Sequence, residues 1–217
     1  MDATTVTVSS VEPVGTDAIA IELTTPAEFE ANPGQFVKLT VTVDDEPVSR
    51  FYTISSPAIE ETFEITLTID PAGELGPTLA ELSVGDEIDV AGPFGDAAYA
   101  GESETLVLAG GPGVGPAVGI AERTIDDGGS AAIVYLDDEP IHEQRLGALS
   151  DAGVSVFVVS NGDALEDAID SVAAELDPQV FVYGFAPFLD LATDGLTGAG
   201  LDADGAKVES FGPAPEE

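Results

Sequence analysis

The sequence contains no cysteine, no tryptophan, one methionine and a single histidine, His142, among 217 residues. Without cysteine there is no disulfide, no thiolate zinc site, no cysteine nucleophile and no cysteine-ligated iron–sulfur cluster. One histidine cannot build a multi-histidine metal site and makes a Ser-His-Asp triad improbable, so no metal is expected. Cations are almost as scarce, with 5 Lys plus Arg against 42 Asp plus Glu and a formal net charge of -37. A surface of that sign repels nucleic-acid phosphates and anionic lipid, which excludes both as primary partners. Long apolar runs are also missing. The longest falls far short of the roughly 20 residues a membrane span needs. No basic, apolar leader precedes Thr4, and the expected location is cytoplasmic.

What is present suffices for a core. Hydrophobic residues make up 44% of the chain, and the length suits one large domain or two of about a hundred residues. The carboxylates are scattered through periodic apolar segments instead of forming a block, so the chain reads as a folded protein with an acidic skin. Such self-repulsion is tolerable in molar salt, where the Debye length is about 3 Å. The expected source is a salt-adapted organism, a halophilic archaeon.

In the first hundred residues, period-two alternation marks strands at 4–9, 19–24, 36–43 and 63–69. Turn chemistry separates them at Pro33-Gly34, 44–47, 71–73 and Gly85-Asp86, a spacing that suits a small antiparallel barrel or sandwich with one short helix at 77–82. From Glu104 onward, apolar runs at 106–109, 132–136, 154–159 and 180–183 alternate with helical stretches, the pattern of a parallel sheet built from βαβ units. The clearest helix is 163–176, with Ala164, Leu165, Ala168, Ile169, Val172 and Leu176 on one face. The boundary is expected within 92–103, dividing the chain into 1–98 and 99–217. The fold expectation is an N-terminal antiparallel β-barrel followed by an α/β parallel-sheet nucleotide-binding domain, with an unstructured tail at 212–217.

The apolar run 106–109 leads into Gly110-Gly111-Pro112-Gly113-Val114-Gly115-Pro116 and a helical stretch to about Arg123. Glycines let the backbone approach a phosphate, and a helix N-terminus offers it unpaired N–H groups. Pro116 suits a first helical position. The loop departs from G-x-G-x-x-G, and a tight turn is the competing reading. A second signal is Arg50-Phe51-Tyr52-Thr53 on a barrel strand, where one of only three arginines has either an anionic ligand or a carboxylate partner. A second glycine loop, Gly73-Glu74-Leu75-Gly76-Pro77-Thr78-Leu79, opens the short helix. Two anion sites suggest two nucleotides.

In this order of motifs the chain resembles the ferredoxin-NADP reductase family of flavoprotein oxidoreductases over essentially its full length. Pro33-Gly34-Gln35-Phe36 is similar to the family's strand leading toward the flavin, and Arg50-Phe51-Tyr52-Thr53 to its Arg-x-Tyr-Ser/Thr signature. The resemblance implies bound FAD, with Arg50 on the diphosphate, Tyr52 against the isoalloxazine, Thr53 near its reactive nitrogen and Phe51 in the same site; Tyr52 and Thr53 are the expected catalytic pair. It also implies Gly76, Pro77 and Thr78 as the diphosphate loop, followed by the family-like Gly85-Asp86 and Gly92-Pro93-Phe94-Gly95. Gly111, Gly113, Gly115 and Pro116 become the pyridine-nucleotide loop. Tyr183 and Gly184 are matched to the family's Cys-Gly-Pro segment beside the nicotinamide, with Tyr183 in the cysteine's place and Phe185 in the proline's. Glu209-Ser210-Phe211 is similar to the terminal segment that returns to the flavin, where Phe211 covers the ring or makes a core contact.

The implied activity is hydride transfer from NADH or NADPH to FAD and electron transfer onward to ferredoxin or another carrier. The alternative is a non-catalytic nucleotide-binding or electron-transfer subunit of a larger complex. A dihydroorotate dehydrogenase electron-transfer subunit is disfavoured, because that relative carries a cysteine-ligated cluster. Asp137, in the acidic stretch after 132–136, is placed to accept hydrogen bonds from a free ribose 2′-hydroxyl and to repel a 2′-phosphate, which favours NADH; membership of the acidic skin is the competing reading. His142 is expected on the surface, and Asp202-Ala203-Asp204-Gly205 as a turn that lacks the downstream Glu of a calcium loop.

Overall fold

The computed structural model describes residues 3–43, 46–71, 73 and 75–214. Parts of three expected segments lie outside the described residues: Asp44 and Asp45 of the 44–47 turn, Ala72 and Glu74 around the second glycine loop, and 215–217 of the tail.

Strands β1 (Thr4–Gly15), β2 (Ala18–Thr24), β3 (Phe36–Val43), β4 (Glu46–Thr53), β5 (Thr62–Thr68) and β6 (Glu87–Phe94) form one antiparallel sheet in the order β4-β3-β6-β1-β2-β5. Its two edges meet through the Ile54–Ile65 bridge and the Ser55 N–H donated to the Glu64 carbonyl at 2.8 Å, which curls the sheet into a barrel. Alternation does the sorting. In β3, Val37, Leu39 and Val41 are buried while Lys38 and Thr40 point away from the core. Helix α1 (Gly76–Ala80) adds Leu79 to that core.

Strands β7 (Glu104–Gly110), β8 (Ser130–Leu136), β9 (Ser155–Val159), β10 (Gln179–Gly184) and β11 (Lys207–Ser210) form a parallel sheet in the order β11-β10-β7-β8-β9. Helices α2 (Val114–Asp126), α3 (Glu143–Asp151), α4 (Gly162–Ala173) and α5 (Ala186–Gly198) cover it. Strand β7 is buried from Thr105 to Gly110 with no alternation, as expected where both faces are covered. Val107 and Ala109 pack with α2, while Leu106 and Leu108 pack with α4 and α5.

The expected two-part fold is therefore present, with local differences. Strand β1 extends to Gly15 through Pro13, accommodated by register shifts against β2. Strand β6 occupies part of the segment read as a boundary; the first sheet ends at Phe94 and the second begins at Glu104. Strand β11 was not anticipated. Pro116 is the third residue of α2, not the first, and is harmless there because first-turn N–H groups have no helical partner.

The two sheets meet closely. A Cβ on Gly119 of α2 would sit 2.6 Å from the Ser55 carbonyl oxygen, and one on Gly115 would sit 2.8 Å from Thr66 Cβ. Ile141 fills the space beside Gly15, and the Tyr183 hydroxyl fills the space beside Gly34.

Gly119→Ala is expected to destabilise the protein by roughly 1–3 kcal/mol through overpacking, a fall in Tm of several degrees. Gly147, inside α3 with open space around it, is the control: Gly147→Ala is expected to raise stability by roughly 0.5–1 kcal/mol. Thermal melts of both variants against the parent check the pair.

Candidate functional site

Strand order reverses beside β7, with β8 and β9 on one side and β10 and β11 on the other. Open α/β sheets bind ligands at the carboxyl ends of strands flanking such a reversal. Four segments leave the strands there: the 3-10 turn Gly111–Gly113 after β7, Asp137 after β8, Phe185 after β10 and Phe211 after β11. Gly111 has φ +56° and open space where a Cβ would project, so a ligand can approach its backbone. At Gly113 and Gly115 the absent side chain serves packing. A Cβ on Gly113 would run into the Tyr183 carbonyl, and Gly115 packs on Thr66 and Ser55 of the barrel. Their side-chain space is filled by protein, not open to a nucleotide. Pro116 is buried beside them.

Tyr183 is also held by protein. Its ring is fully buried, its hydroxyl donates to the Ala97 carbonyl, and burial pushes that hydroxyl's pKa well above the usual range. The side chain is a strut between the two sheets, and Gly184 packs against Phe188. The aromatic that stands partly open at the end of β10 is Phe185, which precedes the Ala186-Pro187 start of α5 and meets Phe211 edge-on at 5.9 Å. The resemblance places it only in the proline's position of the Cys-Gly-Pro segment, although a proline in the first helical turn was an available signal that the strand had ended. Glu209, half-buried on the neighbouring strand, has its carboxyl pKa raised by burial.

On β4, cross-strand pairing divides the expected tetrad. Arg50 lies opposite Leu39 and Tyr52 opposite Val37, both core residues, whereas Phe51 lies opposite Lys38. Directly opposed residues share a face. Arg50 and Tyr52 therefore belong to one face and Phe51 to the other, where it is 63% exposed and meets Phe36 at 5.5 Å and Phe94 at 6.3 Å. Phe51 does not share a site with its two neighbours. The Tyr52 hydroxyl is pushed up to about 12 by burial, with the Arg50 charge pulling it down. Arg50 is exposed and donates from Nη1 to the Ser49 carbonyl at 2.8 Å. Thr53 is buried at the strand's end. Gly76, Pro77 and Thr78 form the first turn of α1, after β5, with Gly76 against the Asp70 backbone.

Asp137 is held within its own loop: Oδ2 accepts from the Tyr135 hydroxyl at 2.9 Å and Oδ1 from the Glu139 N–H at 2.9 Å. Both oxygens keep a further lone pair for a ligand hydroxyl.

His142 is not a surface residue. It is 4% exposed, its N–H donates to the Val14 carbonyl at 2.8 Å, and Nε2 lies 2.8 Å from Thr66 Oγ1. Thr66 Oγ1 donates to Ser55 Oγ at 3.0 Å, which donates to Glu64 Oε1 at 2.7 Å. Arg145 completes the network with contacts to Glu64, Glu122 and the Ser55 carbonyl. A cavity of about 410 Å³ borders it, lined by Glu22, Glu60, Glu64, Glu122 and Asp126 around Arg145. None of the expected cofactor residues lines this cavity, and its acidity disfavours a diphosphate.

The residues present fit a dinucleotide elsewhere. Arg50 is an exposed residue whose guanidinium is the chemistry a diphosphate needs, Tyr52 has an aromatic face and Gly111 an unobstructed backbone. Among the described residues, no cluster of three or more His, Cys, Asp or Glu could hold a metal ion, and no helix is long and apolar enough to cross a membrane.

Residues 5–99 match the oxidoreductase FAD-binding domain family. The chain is 29% identical over 216 residues to the glycine betaine monooxygenase reductase subunit of Pseudomonas aeruginosa, covering 88% of this chain and 59% of that protein. It thus spans less than two thirds of that relative's length. Among solved structures it superposes on the Amycolatopsis cytochrome P450 reductase GcoB with a TM-score of 0.81 at 18% identity, covering 99% of this chain and 71% of the other. It also superposes on a ferredoxin NADP+ reductase from Neisseria gonorrhoeae with bound FAD and NADP, TM-score 0.77 at 16% identity, covering 98% and 99%.

One pH dependence follows from the buried network. Burial, with the Arg145 charge, lowers His142 from 6.5 to about 4. In the unfolded chain it takes up a proton near 6.5, so the stability from keeping it neutral is complete above that pH and is lost as pH falls toward 4, about 3 kcal/mol in all. His142→Gln removes this titration. The stability difference between parent and variant, from urea melts in molar salt, is expected to shift by about that amount between pH 7 and 4; a constant difference would show that His142 is not held neutral.

Proposed function

We infer that this chain, with an oxidoreductase FAD-binding domain in residues 5–99 and the fold of the ferredoxin-NADP reductases, is an FAD-dependent NAD(P)H oxidoreductase. The observation that carries the reading is the pairing of an FAD-binding barrel with a parallel sheet whose strand order reverses beside an open glycine turn. Residues 1–98 take FAD and 99–217 take the nicotinamide nucleotide. FAD, when bound, supplies acceptance of two electrons and their release one at a time. The protein supplies alignment: Arg50 holds the diphosphate, Tyr52 packs against the flavin ring, and Thr53 places a hydroxyl at the end of the same strand. The Phe185–Phe211 pair supports a role for Phe211 at the crevice mouth.

Asp137 supports NADH over NADPH, because a carboxylate fixed by Tyr135 accepts from a 2′-hydroxyl and repels a 2′-phosphate. The P. aeruginosa relative is named as a reductase subunit of a monooxygenase. These 217 residues hold no cysteine for a cluster of their own. A one-electron carrier beyond these residues, such as a ferredoxin, or an oxygenase component is therefore the proposed acceptor. The acid excess supports a cytoplasm of high salt.

Purification in molar salt tests the reading. The protein is expected to be yellow and to bleach on anaerobic addition of NADH; a colourless protein, or one indifferent to both NADH and NADPH, favours the non-catalytic subunit. Arg50→Ala is expected to weaken FAD binding by about 1.5–3 kcal/mol, read as flavin per chain after gel filtration. Equal flavin in variant and parent removes Arg50 from the site. Flavin reduction is expected to be more efficient with NADH than with NADPH at the same salt, and the reverse order would remove the role given to Asp137.

A further inference from the structure

Arg145 lies on α3, outside every segment expected to touch a cofactor, yet it binds β5, α2 and the chain just past β4. Its Nη1 donates to Glu64 Oε1 on β5 at 2.7 Å, and Nη2 donates to the Ser55 carbonyl, just past β4, at 2.9 Å. Its Nε and Nη2 also grip Glu122 on α2, at 2.9 and 2.6 Å. One planar fork thus joins the end of the strand that carries Tyr52 and Thr53 to the helix that begins at the glycine turn. The chain has only 5 Lys plus Arg against 42 carboxylates, and placing one at this junction separates Glu64 from Glu122, two partly buried like charges.

Ser55 is fixed from every side. Its N–H donates to the Glu64 carbonyl, its hydroxyl is shared between Thr66 and Glu64, and its carbonyl takes Arg145. Gly115 and Gly119 bring α2 against the same residue. Thr53 lies two residues upstream, so a displacement at Ser55 moves the strand end on which the flavin is proposed to rest.

We propose that Arg145 is a positioning residue, a clasp that sets the register between the flavin-binding barrel and the nicotinamide-binding sheet and so aligns the two nucleotides for hydride transfer. The proposal rests on the function inferred above. The geometry explains the residue type. Only a guanidinium reaches a carboxylate on each side and a carbonyl between them; a lysine would keep the charge and lose the fork.

The experiment uses the full chain in molar salt, comparing Arg145→Lys and Arg145→Met with the parent. Dithionite reduces flavin without needing the two halves aligned, whereas NADH needs them aligned. Expected are parental flavin content and dithionite reduction, a limiting rate of flavin reduction by NADH at least tenfold lower in Arg145→Met and intermediate in Arg145→Lys, and an apparent KM for NADH changed less than twofold. Hydrogen exchange in a peptide covering 53–56 is expected to quicken several-fold in both variants. The proposal is overturned if the NADH limiting rate is parental in flavin-loaded Arg145→Lys, or if flavin content, melting temperature and both reductions fall together in that variant, which marks a purely structural role. A parent that NADH does not bleach instead overturns the inferred function and is read before any variant is made.

Discussion

Helix α2 lies within backbone contact of the closed edge of the barrel, and that close approach governs the rest of the molecule. Two positions on one helical face, Gly115 and Gly119, carry no side chain where Ser55 and Thr66 come against them. Any larger residue pushes the helix away, and with it the turn at Gly111 and the carboxylate of Glu122. Because the approach is tight, a single arginine can touch both sheets and a single histidine can be sealed between them. The glycines that look in sequence like a phosphate loop thus divide their labour. Gly111 is open, Gly113 packs on the backbone of β10 at Tyr183, and Gly115 with Gly119 forms the seam with the barrel.

That division explains which parts of the fold were legible. Strands with one buried face, such as β3 with Val37, Leu39 and Val41, announce themselves by alternation, and β7 announces itself by being apolar throughout. Strand β6 has the same alternation at Glu87, Ile88, Asp89 and Val90, but its Gly-Pro end has the composition of a linker, which hides it in sequence. The face of each residue on β4 could be assigned only once its partner on β3 was known, which is why Phe51 was grouped with Arg50 and Tyr52. The burial of His142 is not legible because an acidic neighbourhood in sequence says nothing about the end of β1 at Val14, which meets it in space. The partner of the Tyr183 hydroxyl, the Ala97 carbonyl, lies 86 residues away, so its packing role is not legible in the sequence around 183.

The acidic skin and the few cations follow different rules. The Arg123–Asp127 pair is an i,i+4 contact with both side chains 40% exposed, and in molar salt a pair of that kind contributes little. Arg145 and Lys207 are more enclosed. Lys207 donates to the Ala98 carbonyl and to Glu102, anchoring the connection between the sheets to β11. Arg145 and Lys207 therefore serve as internal staples, in contrast to the exposed Arg123 pair.

The hydroxyl end of Tyr183 occupies the space that a side chain at residue 34 would need. Each of the two positions therefore constrains the other, although one belongs to the barrel and the other to the parallel sheet. A larger residue at 34 requires a smaller one at 183, and it must also clear the Ala97 carbonyl oxygen, 2.8 Å from a Cβ there, at a φ of +93° that favours glycine. The two halves are consequently not interchangeable parts. A hybrid joining the barrel of one relative to the sheet of another inherits a matched seam only when both parents resolved this pair in the same way, so the halves of such a chain are bound to diverge together.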